Sequence, residues 1–245
     1  MNDTTLYGRN AVLEAIRAGR GIEKLYIAKG TSGGSMTAIL GEARKRRILV
    51  QEVERDRLNE LTEGGNHQGV VAACSAVAYA DLEDIFKRAE ERGESPLLLI
   101  CESIQDPHNL GAILRTAEAA GVHGVVVSKH HAVGLTQAVA KTAAGALEHI
   151  PVVKVSSVAK LLDDLKKRGL WTACADMDGQ NIYQTDLRGP MALVIGGEHE
   201  GISRLVKERC DYVVSLPMKG KVTSLNASVA AALFMYEVVR QRANF

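Results

Sequence analysis

Three short stretches of the chain place small polar or charged side chains between a strand-like apolar run and a helical one. Leu216-Pro217-Met218 and Ser224-Leu225-Asn226-Ala227-Ser228 follow the apolar run 212–216 and precede a helical pattern over 226–241, where Val229, Ala230, Leu233, Phe234 and Val238 recur at helical spacing. Such a linker opens at a strand's carboxyl end, where open α/β sheets bind ligands and a helix N-terminus offers unpaired N–H groups. Ser224, Asn226 and Ser228 are equally ordinary helix caps. The second stretch, Gly196-Gly197-Glu198-His199-Glu200-Gly201, directly follows the apolar run 191–195. Its glycines permit close backbone approach to a ligand, and they also suit a tight turn with exposed charges. The third stretch, Asp106-Pro107-His108-Asn109-Leu110-Gly111-Ala112-Ile113-Leu114-Arg115-Thr116-Ala117, follows the run 97–101. In it Asn109 is a candidate N-cap, and Arg115 sits three residues before Glu118 on a helix surface. The acid–His–acid order around His199 invites a metal-dependent hydrolase, but no second His or Cys cluster at ligand spacing completes a site, so no metal is expected.

The elements that must hold these stretches are legible as two segments. In the first, helical patterns over 9–18, 35–46 and 55–61 alternate with strand patterns over 24–28, 48–53 and 70–77. In the second, strands are expected at 97–101, 124–127, 152–155, 171–175, 191–195 and 212–216, several continuously apolar as a parallel sheet covered on both faces requires. The charged stretch between them ends in Arg92-Gly93-Glu94-Ser95-Pro96, which stops a helix. The expected division is therefore 1–76, a linker helix over 77–95, and 96–245.

With 245 residues, 46% hydrophobic content and a formal net charge of +1, the chain can build sizeable cores, and its overall charge announces no polyanionic partner. The sequence shows no apolar stretch approaching the ~20 residues of a membrane span and no signal peptide, so a cytoplasmic protein without membrane contact is expected. Cys74, Cys101, Cys174 and Cys210 lie far apart with no Cys-x-x-Cys pair and read as buried thiols. Arg44-Lys45-Arg46-Arg47 ends a helical pattern, where cations suit the helix dipole and where Arg46 is also placed to meet phosphate. Gly30-Thr31-Ser32-Gly33-Gly34-Ser35 lacks the ending of a P-loop and the spacing of a dinucleotide fingerprint, so it reads as a flexible turn capped by Ser35. Gly64-Gly65-Asn66-His67-Gln68-Gly69 reads as a turn whose His67 and Gln68 are either exposed or in contact with nucleic acid.

Taken together, the three polar stretches resemble the three motifs of the SpoU-type RNA ribose 2′-O-methyltransferases, the TrmH family of the SPOUT class. Asn-x-Gly-x-x-x-Arg-Thr-Ala is Asn109 to Ala117, Gly-x-Glu-x-x-Gly is Gly196 to Gly201, and the third motif is Leu216-Pro217-Met218 with Ser224-Leu225-Asn226-Ala227-Ser228-Val229-Ala230. Ala227 replaces the usual Val. Tyr7-Gly8-Arg9-Asn10-Ala11-Val12 and Gly65-Asn66-His67-Gln68-Gly69-Val70 are similar to the N-terminal substrate-binding domain of the subgroup that methylates a guanosine ribose in 23S ribosomal RNA. The sister subgroup acts on transfer RNA and usually lacks this domain. A non-catalytic RNA-binding or ribosome-assembly protein with the same fold is the remaining alternative.

The resemblance implies a small N-terminal α/β RNA-binding domain and a C-terminal parallel-sheet domain tied in a deep trefoil knot. It implies S-adenosylmethionine as cofactor, held by Gly196, Gly197, Leu216, Pro217, Met218, Ser224 and Leu225. Large-subunit ribosomal RNA rather than DNA is the implied partner, gripped through Arg9, Arg46, His67 and Gln68, and a homodimer forms through the C-terminal domain. Asn109, Arg115, Glu198, Ser224 and Asn226 become the catalytic set. The family's proposed base is the motif-one arginine, here Arg115. A guanidinium keeps its proton at neutral pH, so a second account has Arg115 clamp an RNA phosphate and stabilise developing negative charge.

Overall fold

A computed structural model describes residues 5–198 and 201–243. The chain divides into two compact units, residues 1–78 with 135–137, and residues 79–134 with 138–245. Each has its own core.

The first unit comprises β1 (Thr5–Tyr7), α1 (Arg9–Arg17), β2 (Ile22–Ala28), α2 (Gly34–Lys45), β3 (Leu49–Val53), α3 (Arg55–Leu61) and β4 (Val70–Cys74). Its sheet has the order β1-β4-β2-β3, with β2 and β3 parallel and β4 antiparallel to both its neighbours. Strand side chains alternate between faces, and β4 shows the consequence. Val70 and Ala72 join Val12 and Ile16 of α1 and Ile39 of α2 in one cluster, whereas Val71 packs with Leu58 of α3 on the other face. The short β1 is not anticipated from its sequence. Three residues give no period to read, and only pairing with β4 makes them a strand.

The second unit comprises α4 (Leu82–Arg92), β5 (Leu97–Glu102), α5 (Pro107–Ala119), β6 (Gly124–Ser128), α6 (Gln137–Ala143), β7 (Val152–Val155), α7 (Val158–Lys167), β8 (Trp171–Asn181), β9 (Met191–Gly196), α8 (Arg204–Arg209), β10 (Tyr212–Ser215) and α9 (Ala227–Arg242). Its six strands run in the order β10-β8-β9-β5-β6-β7, and every pair is parallel. All six residues of β5 are buried, as expected for a strand covered on both faces. From β5 the chain moves outward through β6 and β7, then returns to the other side, so the order reverses between β5 and β9. Such a switch point is where an open α/β sheet binds ligands, outside the carboxyl ends of its strands.

Two sequence expectations change here. The stretch read as a linker contains α4, whose Ile85 is fully buried beneath the sheet with Leu98 and Val126, so the helix is part of the second unit's core. Strand β8 runs to Asn181 instead of ending near 175. Val213 of β10 pairs with Cys174 and Val214 with Gln180, so residues 175–179 bulge out of the ladder at the sheet's carboxyl end.

Candidate active site

The first motif enters on α5. Asp106 caps this helix by accepting from the His108 N–H at 2.9 Å, and Pro107 occupies its first turn, where no donor is needed. Asn109 is therefore not the cap. It is the third residue of the helix, only 7% exposed, and a buried amide must find partners for both of its ends. Its Nδ2 donates to the Glu198 carboxylate, and its Oδ1 accepts from Asn226 Nδ2 at 2.9 Å. The far side of the Asn226 amide is also engaged. Its Oδ1 caps α9, accepting from the N–H groups of Ser228 at 2.9 Å and Val229 at 3.4 Å. Capping and site-building are thus two uses of one side chain. Through Asn109 the three motifs, 89 and 117 residues apart, become a single hydrogen-bonded chain, Glu198–Asn109–Asn226.

The glycines of the second motif serve the backbone around them. A Cβ on Gly196 would collide with the main chain of Gly201 and with Ile202 N, and one on Gly197 would strike the Ser103 carbonyl. Gly197 and Gly201 also pair through their backbones. The following turn is held by Glu102 at the end of β5, whose carboxylate accepts from Ser203 N at 3.0 Å and Ser203 Oγ at 2.8 Å. Glu102 was missed in the sequence, although an acid closing the run Leu97-Leu98-Leu99-Ile100-Cys101 was a visible signal. His199 and Glu200, the remainder of the acid–His–acid stretch, lie outside the described residues. Among the described residues no group of three metal-ligating side chains gathers.

Arg115 stands apart from this network. It lies six residues beyond Asn109, about 9 Å further along the helix and on a different face. It is exposed and makes no hydrogen bond or ion pair with any described residue, Glu118 included.

Beside the network is an apolar cleft lined by Leu216, Met218, Ser224 and Leu225, with Val214 of β10, Phe234 of α9, and Ala175, Asp176 and Met177 from the β8 bulge. The bulge residues were not foreseen. Gly196, Gly197 and Pro217, expected to touch a cofactor, do not line it. Met177, Met218, Val222 and Leu225 remain exposed around the cleft, a concentration of apolar surface that suits a flat aromatic ligand. Burial opposes ionisation of Asp176, yet the Lys207 ammonium 2.9 Å away and the Asp178 N–H hold its carboxyl below the usual range.

Of the four side chains expected to grip RNA, Arg9 and Gln68 share a cleft in the first unit. His67 does not face solvent. It is 3% exposed, its Nδ1 accepts from Gly69 N at 3.0 Å and its Nε2 meets Asn59 at 3.0 Å, so it fixes the turn. Burial and the nearby Arg55 keep it neutral, with its pKa below the usual value. Arg46 lies at the opposite end of α2 from that cleft, donating to the Arg17 carbonyl at 2.9 Å.

This fold and site are those of an RNA methyltransferase. The SpoU rRNA Methylase family matches residues 96–236, and the RNA 2′-O ribose methyltransferase substrate binding family matches residues 5–80. The chain belongs to the SpoU methylase family. Its relatives include YacO of Bacillus subtilis (strain 168), assigned to the TrmH family of tRNA/rRNA methyltransferases. YacO is 49% identical over 236 residues that span 96% of this chain and 94% of that protein. A TrmH family relative from Staphylococcus aureus (strain MSSA476) is 44% identical over 243 residues, spanning 99% and 98%. Among solved structures, the SpoU methyltransferase AviRb from Streptomyces viridochromogenes, in complex with AdoMet, covers 97% of this chain and 90% of its own at 28% identity and a TM-score of 0.62. The TrmH/SpoU tRNA modifying enzyme of A. aeolicus covers 64% of this chain and 84% of its own, at 27% identity and a TM-score of 0.56.

Proposed function

We propose that the chain transfers a methyl group from S-adenosylmethionine to the ribose 2′-hydroxyl of a guanosine in 23S ribosomal RNA. The observation that carries this reading is the union of the three motifs by Asn109, next to an apolar cleft at the carboxyl edge of the sheet. The cleft fits the cofactor. Leu216, Met218, Leu225 and Phe234 offer apolar walls for an adenine, and AviRb, of the same fold, is solved with AdoMet. When bound, the cofactor supplies a methyl group on a positively charged sulfur.

The chain's own residues supply position. A ribose hydroxyl is a weak nucleophile while it keeps its proton, so holding it in line with the methyl group is the first requirement. Glu198, Asn109 and Asn226 brace one another, which ties the turn after β9 to the starts of α5 and α9. Ser224 adds a hydroxyl at the cleft. Arg115, unpaired within the described chain, clamps an RNA phosphate and stabilises negative charge developing on the ribose oxygen.

The first unit supports an RNA substrate, since it matches a family described as 2′-O ribose methyltransferase substrate binding. Ribosomal RNA is favoured over transfer RNA because the family matching residues 96–236 is described as SpoU rRNA Methylase, whereas the tRNA modifying enzyme of A. aeolicus covers 64% of this chain. A trefoil knot in the second unit is consistent with the close passage of Gly196 past Gly201 and of Gly179 past the Val213–Val214 backbone, where an added Cβ would meet main-chain atoms. A homodimer is supported by α9, where Val229, Leu233 and Tyr236 form a stripe 48%, 42% and 48% exposed while Phe234 and Val238 are buried. No described helix is long and apolar enough to cross a membrane, and a cytoplasmic site of action follows from the substrate.

The test is transfer of labelled methyl to ribosomal and transfer RNA from cells lacking the gene, with the nucleoside identified by mass spectrometry. The expected product is 2′-O-methylguanosine in large-subunit RNA. Label confined to transfer RNA refutes the substrate assignment, and cofactor binding without transfer to any RNA indicates a binding protein.

A further inference from the structure

We propose that the cleft between the first residues of α1 and α3, the loop after β2 and the turn before β4 in the first unit binds a phosphodiester of the RNA backbone, with Arg9 and Arg55 as its anion-holding groups. This inference rests on the chain being an RNA methyltransferase and assigns the phosphate contacts of its substrate-binding unit. The cleft has a volume of about 620 Å³ and is lined by Arg9, Lys29, Thr31, Ser32, Arg55 and Gln68 with two glycines. Three of these side chains are cationic and none is acidic. Lys29 is engaged by Glu54 at 2.5 Å, whereas Arg9 and Arg55 have no carboxylate partner among the described residues.

The Arg9 guanidinium is held in place before any ligand arrives. Its Nε donates to the Gln68 carbonyl at 3.1 Å and its Nη1 to Ser35 Oγ at 3.1 Å, while the Arg9 N–H donates to Gln68 Oε1 at 3.0 Å. These bonds leave other guanidinium hydrogens directed outward in a fixed plane, the arrangement that suits an oxyanion. The floor is equally rigid. Gln68 adopts a left-handed φ of 51°, and the following Gly69, with φ +84°, lies so close to Thr31 that a Cβ there would sit 2.7 Å from its side chain. A strained glutamine kept at a cleft edge, pinned by the buried His67, marks a site where conformation has been fixed for use.

The lining also says which part of RNA is held. Cations, two hydroxyls and an amide offer donors for phosphate and ribose oxygens. No aromatic ring or large apolar side chain is present on which a base would stack. The cleft therefore grips backbone and leaves sequence selection elsewhere.

The test uses the full chain and a transcript of large-subunit ribosomal RNA, with binding measured across a salt series for wild type, Arg55→Glu and Arg9→Gln. Arg44→Glu, an equal charge reversal outside the cleft, is the control, and a wild-type circular dichroism spectrum and melting curve for each variant report intact folding of the first unit. Arg55→Glu is expected to weaken RNA binding about tenfold or more and to flatten the slope of log K against log salt by roughly 0.7 to 0.9 for each phosphate no longer neutralised. Arg44→Glu is expected to do markedly less. Wild-type affinity and slope in both Arg55→Glu and Arg9→Gln, with folding intact, overturns the proposal, as does an equal effect of Arg44→Glu. Arg55-dependent binding of inorganic phosphate, without an effect on RNA, reassigns the cleft to a small anion and also overturns it. A wild-type chain that binds cofactor but no RNA removes the RNA-enzyme reading itself.

Discussion

The two units use polar side chains in opposite ways. In the second, Glu198, Asn109 and Asn226 are consumed by one another, and Arg115 is left unengaged among the described residues. In the first, Arg9 is braced from behind by Gln68 and Ser35, and the cleft presents cations with no acid among its lining residues. One region spends its polar groups on shape and the other on charge. Substitutions in the second unit should therefore affect transfer or folding, and those in the first should affect affinity.

The largest expected effect is at Gly196. An added methyl group meets the Gly201–Ile202 main chain, which Gly197 and Gly201 hold in place through their own backbone pairing, so Gly196→Ala should cost about 3 kcal/mol and greatly reduce the yield of folded protein. A variant that melts like wild type would break the claim that this glycine is there for chain packing. Next comes Arg115→Ala, which removes the unengaged motif-one cation without touching the network. Single-turnover methylation, with RNA and cofactor saturating, should fall roughly 10²- to 10³-fold while calorimetric cofactor affinity is unchanged. Near-wild-type turnover would exclude Arg115 both as clamp and as base.

A smaller effect sharpens the comparison through two histidines. His67 in the first unit and His123 in the second are both buried and neutral, with pKa values held below 6.5 chiefly by burial. His123 accepts from Leu97 N at 3.0 Å and meets Glu94 at 3.0 Å, and Glu94 opposes the downward shift, whereas His67 has no acidic partner among the described residues. As pH falls through 6.5 the unfolded chain takes up these protons before the folded chain does. Stability is therefore full above 6.5 and declines from there towards the lower folded pKa values. Hydrogen-exchange protection around residues 65–70 and 95–97, corrected for the intrinsic rate, should fall as pH drops below 6.5, and protection independent of pH there would contradict the assignment.

How far the sequence revealed this follows from where each signal resides. Most strands and helices were legible because their apolar periods are local, and the motif residues were legible as types at set spacings. Their contacts were not, since Asn109 meets partners 89 and 117 residues away and Glu102 holds Ser203, 101 residues away. The bulge Ala175-Asp176-Met177-Asp178-Gly179 lost the strand pattern because its residues leave the ladder to wall the cleft. His67 read as an exposed or RNA-contacting turn residue because its burial depends on Asn59 and the fold of the turn.

The central claim is that the Glu198–Asn109–Asn226 chain frames the transfer site and is more than a set of local caps. Asn226→Asp tests it most directly. The substitution keeps the Oδ1 that caps α9 but replaces the donor to Asn109 with an acceptor. Removing that hydrogen bond, worth about 1 kcal/mol or more, predicts single-turnover methylation slowed roughly tenfold with the melting temperature lowered by only about 2–4 °C. Wild-type transfer by Asn226→Asp would show that capping is all this residue does and would contradict the account.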